Sequence, residues 1–409
     1  MNFSKPSGLA GVFFASLILA ILLACAASQQ GEKPSVVIDE AALREQARAD
    51  SIRAVRQREI RIAKSTGSEY HKNKQYTDAI PHLEKVLKLD PQNEGAYYML
   101  ADCYLQLDNL DKAQEVYEQA VSADPQNGNF HQYLGYILDK KGMSQEAMEE
   151  YKKAVDLMPE SVEAHLALAN LYLGQELDGP AMEHYARVTE LDSTRKEVLV
   201  VLSKLYVKYT LREKLAAVYE RLLKLDPNDR ATMLELGKTY TELDRNEEAV
   251  PLLQNLIQLE KDNIKAYLYL GTACNNLDRH DEAISACKTA LEIDPQNLRA
   301  LSDLAYSLSE SGNHNKAWNL LKKVAQLNPD YAYRFVVRGE IYENEAEAYV
   351  KPDGTVKWDG KLKYEKAVGE YKKALKDPEW GEYARTKIEY LSPFLPTEED
   401  RFFHGKKDQ

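Results

Sequence analysis

The strongest constraint on this chain is a proline that returns every 34 residues. Pro91, Pro125, Pro159, Pro227, Pro295 and Pro329 fall on one 34-residue grid, interrupted only by Ser193 and Lys261. No insertion or deletion disturbs the spacing between the first and last of them. Three of the stops share the same letters, "DPQN", at 90–93, 124–127 and 294–297. A fixed period of this length means one supersecondary unit used repeatedly, each copy burying its apolar face against its neighbours.

Other slots follow the same grid. Twelve residues before each stop lie Ala79, Ala113, Ala147, Ala181, Leu215, Ala249, Ala283 and Ala317. Twenty-four before it lie Gly67, Ala101, Gly135, Ala169, Ser203, Gly237, Gly271 and Ala305. A larger residue, most often tyrosine, stands twenty-one before it: Tyr70, Tyr104, Leu138, Tyr172, Tyr206, Tyr240, Cys274 and Leu308. Proline cannot supply an interior helix N–H, and the aspartates before it (Asp90, Asp124, Asp226, Asp294) are biased away from helix, so a helix ends at each stop. Small residues let two antiparallel helices approach closely, and the tyrosines fill the next layer. That slot absorbs much of an unusual composition, 26 Tyr against 8 Phe and 3 Trp.

This pattern resembles the tetratricopeptide repeat (TPR) over residues 60–330. The resemblance implies an all-α fold, a right-handed TPR superhelix (α-solenoid) of eight regular repeats. A ninth is expected at 331–391, its first helix "YAYRFVVRGEIYENEAEAY" (331–349) carrying Gly339 and Tyr342 in the expected slots. Its second helix is expected at 364–375, with Ala367, Tyr371 and Ala374 in place. Between them "VKPDGTVKWDGKLK" (350–363) reads as a hairpin-like insertion, with turn pairs at Asp353-Gly354 and Asp359-Gly360 and a short strand at "TVKW". A capping helix near 380–391 and a tail, 392–409, close the array.

The N-terminus is of another kind. Lys5 precedes the apolar run 9–24, which ends at Cys25, as in a secretory signal. "LLAC" at 22–25 resembles the bacterial lipobox, through Leu22, Ala24 and Cys25. Residues 1–24 are therefore expected to be a lipoprotein signal peptide, Cys25 the lipidated residue, and 25–37 anchor and tether. The alternative is an uncleaved membrane anchor; both place the rest of the chain outside the cytoplasm. Acyl chains on one cysteine would hold it firmly, since each buried CH₂ adds ~0.8 kcal/mol. Ala26 after the cysteine points, by the enteric rule, to the periplasmic face of the outer membrane. Residues 38–59, rich in Ala, Arg and Glu, favour a solvated leading helix.

Chemistry is harder to find. A net charge of −12 argues against nucleic acid as a ligand. His131 and His165 share one repeat position, and His280 and His314 share another, in the turn between helices, so their spacing follows the repeat rather than a metal. Cys274 and Cys287 fall in core slots and are expected to stay unbridged. No phosphate loop, HExxH, CxxC or nucleophile–base pairing is present, so no catalytic residue, metal or cofactor is assigned.

Function is then expected on a surface. Numbering each repeat from Ile60, Glu94, Gly128 and so on, positions 2, 5, 9 and 12 of the first helix share a face about 100° from the core positions. The resemblance makes that face a concave groove for partner peptides. In the fourth to seventh repeats position 5 is Leu166, Val200, Leu234 and Leu268, with Leu173 and Val207 at position 12. Asn170, Lys204 and Lys238, at position 9, line the edge. Such an apolar strip suits an amphipathic helix or extended peptide; the alternative is that these side chains pack against the preceding repeat. The carboxylate clamp of chaperone-binding relatives is incomplete here, since Ser68 stands where an asparagine would follow Lys64. The expectation is a non-enzymatic, lipid-anchored scaffold gathering proteins or peptides of the cell envelope, or alternatively a recruiter of an envelope enzyme.

Overall fold

The computed structural model describes residues 40–404. The expected signal peptide, Cys25 and the tether lie outside the described residues, as do 405–409. Among the described residues are twenty α-helices and one short 3₁₀ turn, arranged in two compact units divided between Met143 and Ser144.

The helices keep the sequence grid. From the second repeat to the eighth, the first helix fills repeat positions 1–13: Glu94–Gln106, Gly128–Lys140, Val162–Gly174, Lys196–Lys208, Arg230–Glu242, Ile264–Asn276 and Leu298–Glu310. Second helices fill positions 17–30: Tyr76–Leu89, Leu110–Ala123, Ser144–Leu157, Asp178–Leu191, Arg212–Leu225, Asn246–Leu259, His280–Ile293 and His314–Leu327. His280 and His314 therefore open second helices instead of lying in the turn before them.

The "DPQN" stop works as two caps in four residues. Asp90, Asp124, Asp226 and Asp294 are C-caps with φ between −142° and −130°. Their carboxylates turn forward: Asp124 and Asp294 accept from the backbone N–H of Gln126 and Gln296 at 3.2 and 3.1 Å. The asparagine that ends the motif is the N-cap of the next repeat, and Asn297 accepts from the Ala300 N–H at 3.0 Å. Ser161, Asp229 and Asn263 do the same at that position, each cap contributing about 1 kcal/mol. Where Ser193 replaces proline, Asp192 gathers more partners: the Thr194 N–H at 3.0 Å, the Thr194 hydroxyl at 2.6 Å and Arg195 Nε at 2.9 Å.

A second recurrent turn lies inside each repeat. Position 15 takes a positive φ eight times: Lys74, Asp108, Gly142, Glu176, Thr210, Asp244, Asp278 and Gly312. The same turn is closed each time by a hydrogen bond from position 16 back to position 11, as in Asn109 N–H to Tyr104 O at 2.8 Å.

Close packing explains the small slots. Every alanine twelve residues before a stop is fully buried. At Gly237 a β-carbon would stand 2.5 Å from Leu253 Cδ2, and at Gly271 3.2 Å from Cys287 Sγ. Cys103, Cys274 and Cys287 are buried free thiols.

The leading helix runs without a break into the first repeat: Glu40–Lys72 is one continuous helix that includes the first helix of repeat one. From Arg44 to Arg58 its side chains are exposed, and Arg56 Nε donates to the Leu89 carbonyl at 2.8 Å. In the ninth repeat the first helix is Ala332–Glu347, and the second begins at Trp358, six residues earlier than expected. The insertion is thus a short excursion with a single antiparallel bridge, Val350 to Val356, and the "TVKW" strand is not formed. After the capping helix, Gly381–Leu391, the tail folds back as a 3₁₀ turn and the helix Glu398–His404. His404 stacks on Trp358 with centroids 4.9 Å apart, and Arg401 pairs with Glu365 at 2.5 Å.

Candidate partner-binding groove

The expected groove lies in the second unit. Helical periodicity turns repeat positions 4, 8 and 11 into the core, and in the fourth repeat His165, Ala169 and Tyr172 are buried there. Positions 5, 9 and 12 are displaced to the side. Leu166, Val200, Leu234 and Leu268 are each half-buried, as is Leu173, whereas Val207 is 54% exposed. The first helices of the sixth and seventh repeats pack directly, so Leu234 and Leu268 stand on touching elements.

Polar residues along the edge have distinct states. Tyr185 donates its hydroxyl to Oδ1 of the exposed Asn170 at 2.6 Å, which fixes the amide. Lys204 is exposed and makes no ion pair with a described residue. Lys238 lies 3.8 Å from Glu242 in an i, i+4 pair that is 40% and 39% exposed, and such a pair holds the ammonium weakly.

The aliphatic strip ends at Leu268. In the eighth repeat Ser302 and Ser309, at positions 5 and 12, are buried, and the buried Asn275 donates to Ser307 Oγ at 2.9 Å. Beyond it the same face is filled by the chain itself. Arg299 Nε donates to both Asp303 oxygens at 3.0 and 2.9 Å, and Tyr333 adds its hydroxyl at 2.7 Å. Burial pushes the Asp303 carboxyl above its ordinary range despite both partners. Trp380 covers this pair, its ring 4.3 Å from that of Tyr333. Glu340 and Glu343, positions 9 and 12 of the ninth repeat, receive Tyr383 at 2.7 Å and Lys387 at 3.1 Å from the capping helix. Sequence reasoning placed the capping helix but missed these side-chain contacts, whose signal was Trp380, Tyr383 and Lys387 at helical spacing.

The histidines have structural partners. His131 Nε2 lies 3.1 Å from the Pro125 carbonyl and His165 Nε2 3.2 Å from that of Pro159. Tyr267, at the same repeat position, reaches the Lys261 carbonyl at 3.2 Å. His165 Nδ1 also meets His184 Nδ1 at 2.9 Å, where burial and the His165 charge lower the His184 pKa. Among the described residues no three His, Cys, Asp or Glu side chains gather as a metal site.

Models of the tetratricopeptide repeat match residues 70–135 and 277–335, and 234–297, and a TPR repeat model matches 140–176. No curated protein matches the chain. Among solved structures the chain is similar to YrrB, described as a TPR protein with an unusual peptide-binding site: 23% identity, 46% of this chain and 96% of that one, TM-score 0.37. It is similar to MamA AMB-1 at 27% identity, over 40% of this chain and 98% of that one, TM-score 0.35. For pilF of Pseudomonas aeruginosa the identity is 18%, over 52% and 96%, with a TM-score of 0.36.

Proposed function

This chain is a tetratricopeptide-repeat protein, a scaffold for protein–protein interaction, and we propose that it serves as a lipid-anchored assembly scaffold of the cell envelope. The observation that carries the binding reading is the aliphatic ladder: Leu166, Val200, Leu234 and Leu268 occupy one position in four consecutive repeats, and each keeps part of its surface in solvent. Fully packed side chains at that position would be buried, as Ser302 is in the next repeat. Lys204 and Lys238 beside the ladder favour a segment that pairs apolar residues with carboxylates. Equivalent residues on neighbouring helices lie roughly 10 Å apart, about the reach of three residues of extended peptide. Localisation rests on the N-terminal sequence, where the apolar run ending in "LLAC" supports lipidation of Cys25 and an extracytoplasmic site.

The test is a crosslinked pull-down from native envelopes. Wild type is compared with a Leu166→Glu/Leu234→Glu/Leu268→Glu variant at equal helical content by circular dichroism. Specific partners should be captured by wild type and lost from the variant. Capture of the same partners by both would reduce the ladder to packing.

A further inference from the structure

A second face of different chemistry lies in the first unit, beginning at position 5, where the fourth to seventh repeats carry their aliphatic ladder. Tyr98 is position 5 of the second repeat; Tyr133 and Tyr136 are positions 6 and 9 of the third. Tyr133 stacks one face on Tyr117, with centroids 5.4 Å apart and planes within 9°. Tyr98 meets its edge at 5.2 Å in a T-shaped contact. Tyr133 still keeps 42% of its surface in solvent, and so does Tyr136 one turn along. Such an area of exposed aromatic surface on a helix face marks a contact site.

Carboxylates gather around this shelf, with the Lys140 ammonium at its Tyr136 end. Glu94 accepts the Tyr98 hydroxyl at 2.8 Å. Asp102 is held by His71 Nε2 at 2.6 Å and by Gln106 at 3.2 Å. Both acids act on the ring cluster: after burial, Glu94 contributes to the raised pKa of Tyr98, and Tyr133 and Asp102 to that of Tyr117. Asp139, exposed, stands one helical turn from Tyr136. Aromatic faces present negative charge to a ligand, and a cation set between such a face and carboxylates is attracted by both. The chain already uses the device in miniature, with Lys140 Nζ 5.5 Å from the Tyr136 centroid.

We infer that the Tyr98–Tyr133–Tyr136 shelf, with Glu94 and Asp102 beside it, is a binding site for an arginine side chain of a partner polypeptide. A guanidinium is flat, weakly hydrated and able to lie on the exposed surface of Tyr133 while its N–H groups reach a carboxylate; a lysine ammonium does only part of this. The site is independent of the aliphatic ladder and does not rest on it.

The experiment measures fluorescence anisotropy of labelled hexa-arginine and hexa-lysine with the full chain, at about 150 mM salt to suppress distant attraction. Hexa-arginine should bind about threefold to fivefold more tightly than hexa-lysine. Tyr133→Ala should erase that preference, and Tyr133→Phe, which keeps the ring, should retain it. Asp102→Asn should weaken both peptides, whereas Glu247→Gln, an exposed acid in the other unit, should weaken neither. Tyr136→Ala serves as a second ring deletion in case Tyr133→Ala loosens the Tyr117 stack. Equal binding of the two peptides, binding indifferent to both ring deletions, or no binding at all would overturn the inference; the first two would leave only the general attraction of an acidic chain.

Discussion

Thr210 sits where the main chain needs a left-handed residue, with φ of 53°. The same position is glycine at Gly142 and Gly312 and aspartate at Asp108, Asp244 and Asp278. A β-branched residue is the worst fit, because its Cβ crowds the following carbonyl at a cost of ~1–2 kcal/mol. Glycine removes that cost but loses more freedom on folding, about 0.5–1 kcal/mol. Thr210→Gly should therefore stabilise the protein by up to about 1 kcal/mol, and Gly312→Thr should destabilise it; urea melts of both would show whether the signs are opposite. Glu340 makes a different prediction. Burial pushes its carboxyl up to about 7, with Glu343 and Glu310 adding to the rise and Tyr383 and Lys387 opposing it. Unfolded, the group titrates near its ordinary 4.5. The folded state thus holds a proton that the unfolded state has lost, and the stability this lends is complete below 4.5 and drains away as pH rises through 7. Glu340→Gln should flatten that decline, with a gain on the order of 2 kcal/mol above about pH 8. Parallel stability curves for the two proteins would rule the titration out.

At the scale of elements, the pairing of helices depends on where a β-carbon is absent. Gly339, in the first helix of the ninth repeat, faces the fully buried Tyr371 ring in the second, and an added Cβ would lie 2.5 Å from Cζ. Tyr371 is held there by its bond to Glu343 and cannot retreat. Gly339→Ala should cost about 1–3 kcal/mol through overpacking, even though alanine is the better helix former. Gly369, in the same helix as Tyr371, has nothing within 4 Å of its missing side chain. There alanine should stabilise by about 0.5–1 kcal/mol, so thermal melts of the two variants should move in opposite directions. Much of this layer was legible in the sequence, because proline, alanine and glycine slots state a steric requirement directly. The left-handed turn at position 15 was not. It is imposed by the short handover between two helices, and six of its eight residues are not glycine. The Asp359-Gly360 pair misled for the converse reason. Gly360 lies inside the first turn of a helix, and its Cβ would stand 2.8 Å from both Tyr349 and Val356. That glycine serves close approach, not a turn.

For the molecule as a whole, each unit is built from elements that touch mainly their sequence neighbours, so stability should be a sum over repeats and the contacts between them. Apolar periodicity revealed those contacts from sequence, since it repeats; the polar closure at the C-terminal end did not, since it occurs once. That closure has a testable consequence. Removing the chain after Lys376 takes away Trp380, which covers Tyr333, and Tyr383 and Lys387, which satisfy Glu340 and Glu343. It also removes the buried Ala384 and Leu391. In a nearest-neighbour array the damage should stay local. Hydrogen exchange in the truncated chain should show protection lost from Ala332–Glu347 and Trp358–Ala374, while Val162–Gly174 and Lys196–Lys208 exchange as in the full chain. Uniform loss of protection from Ser144 onward would mean instead that the second unit opens as one cooperative body. The ladder from Leu166 to Leu268 would then depend for its geometry on a C-terminal cap it never touches through those residues.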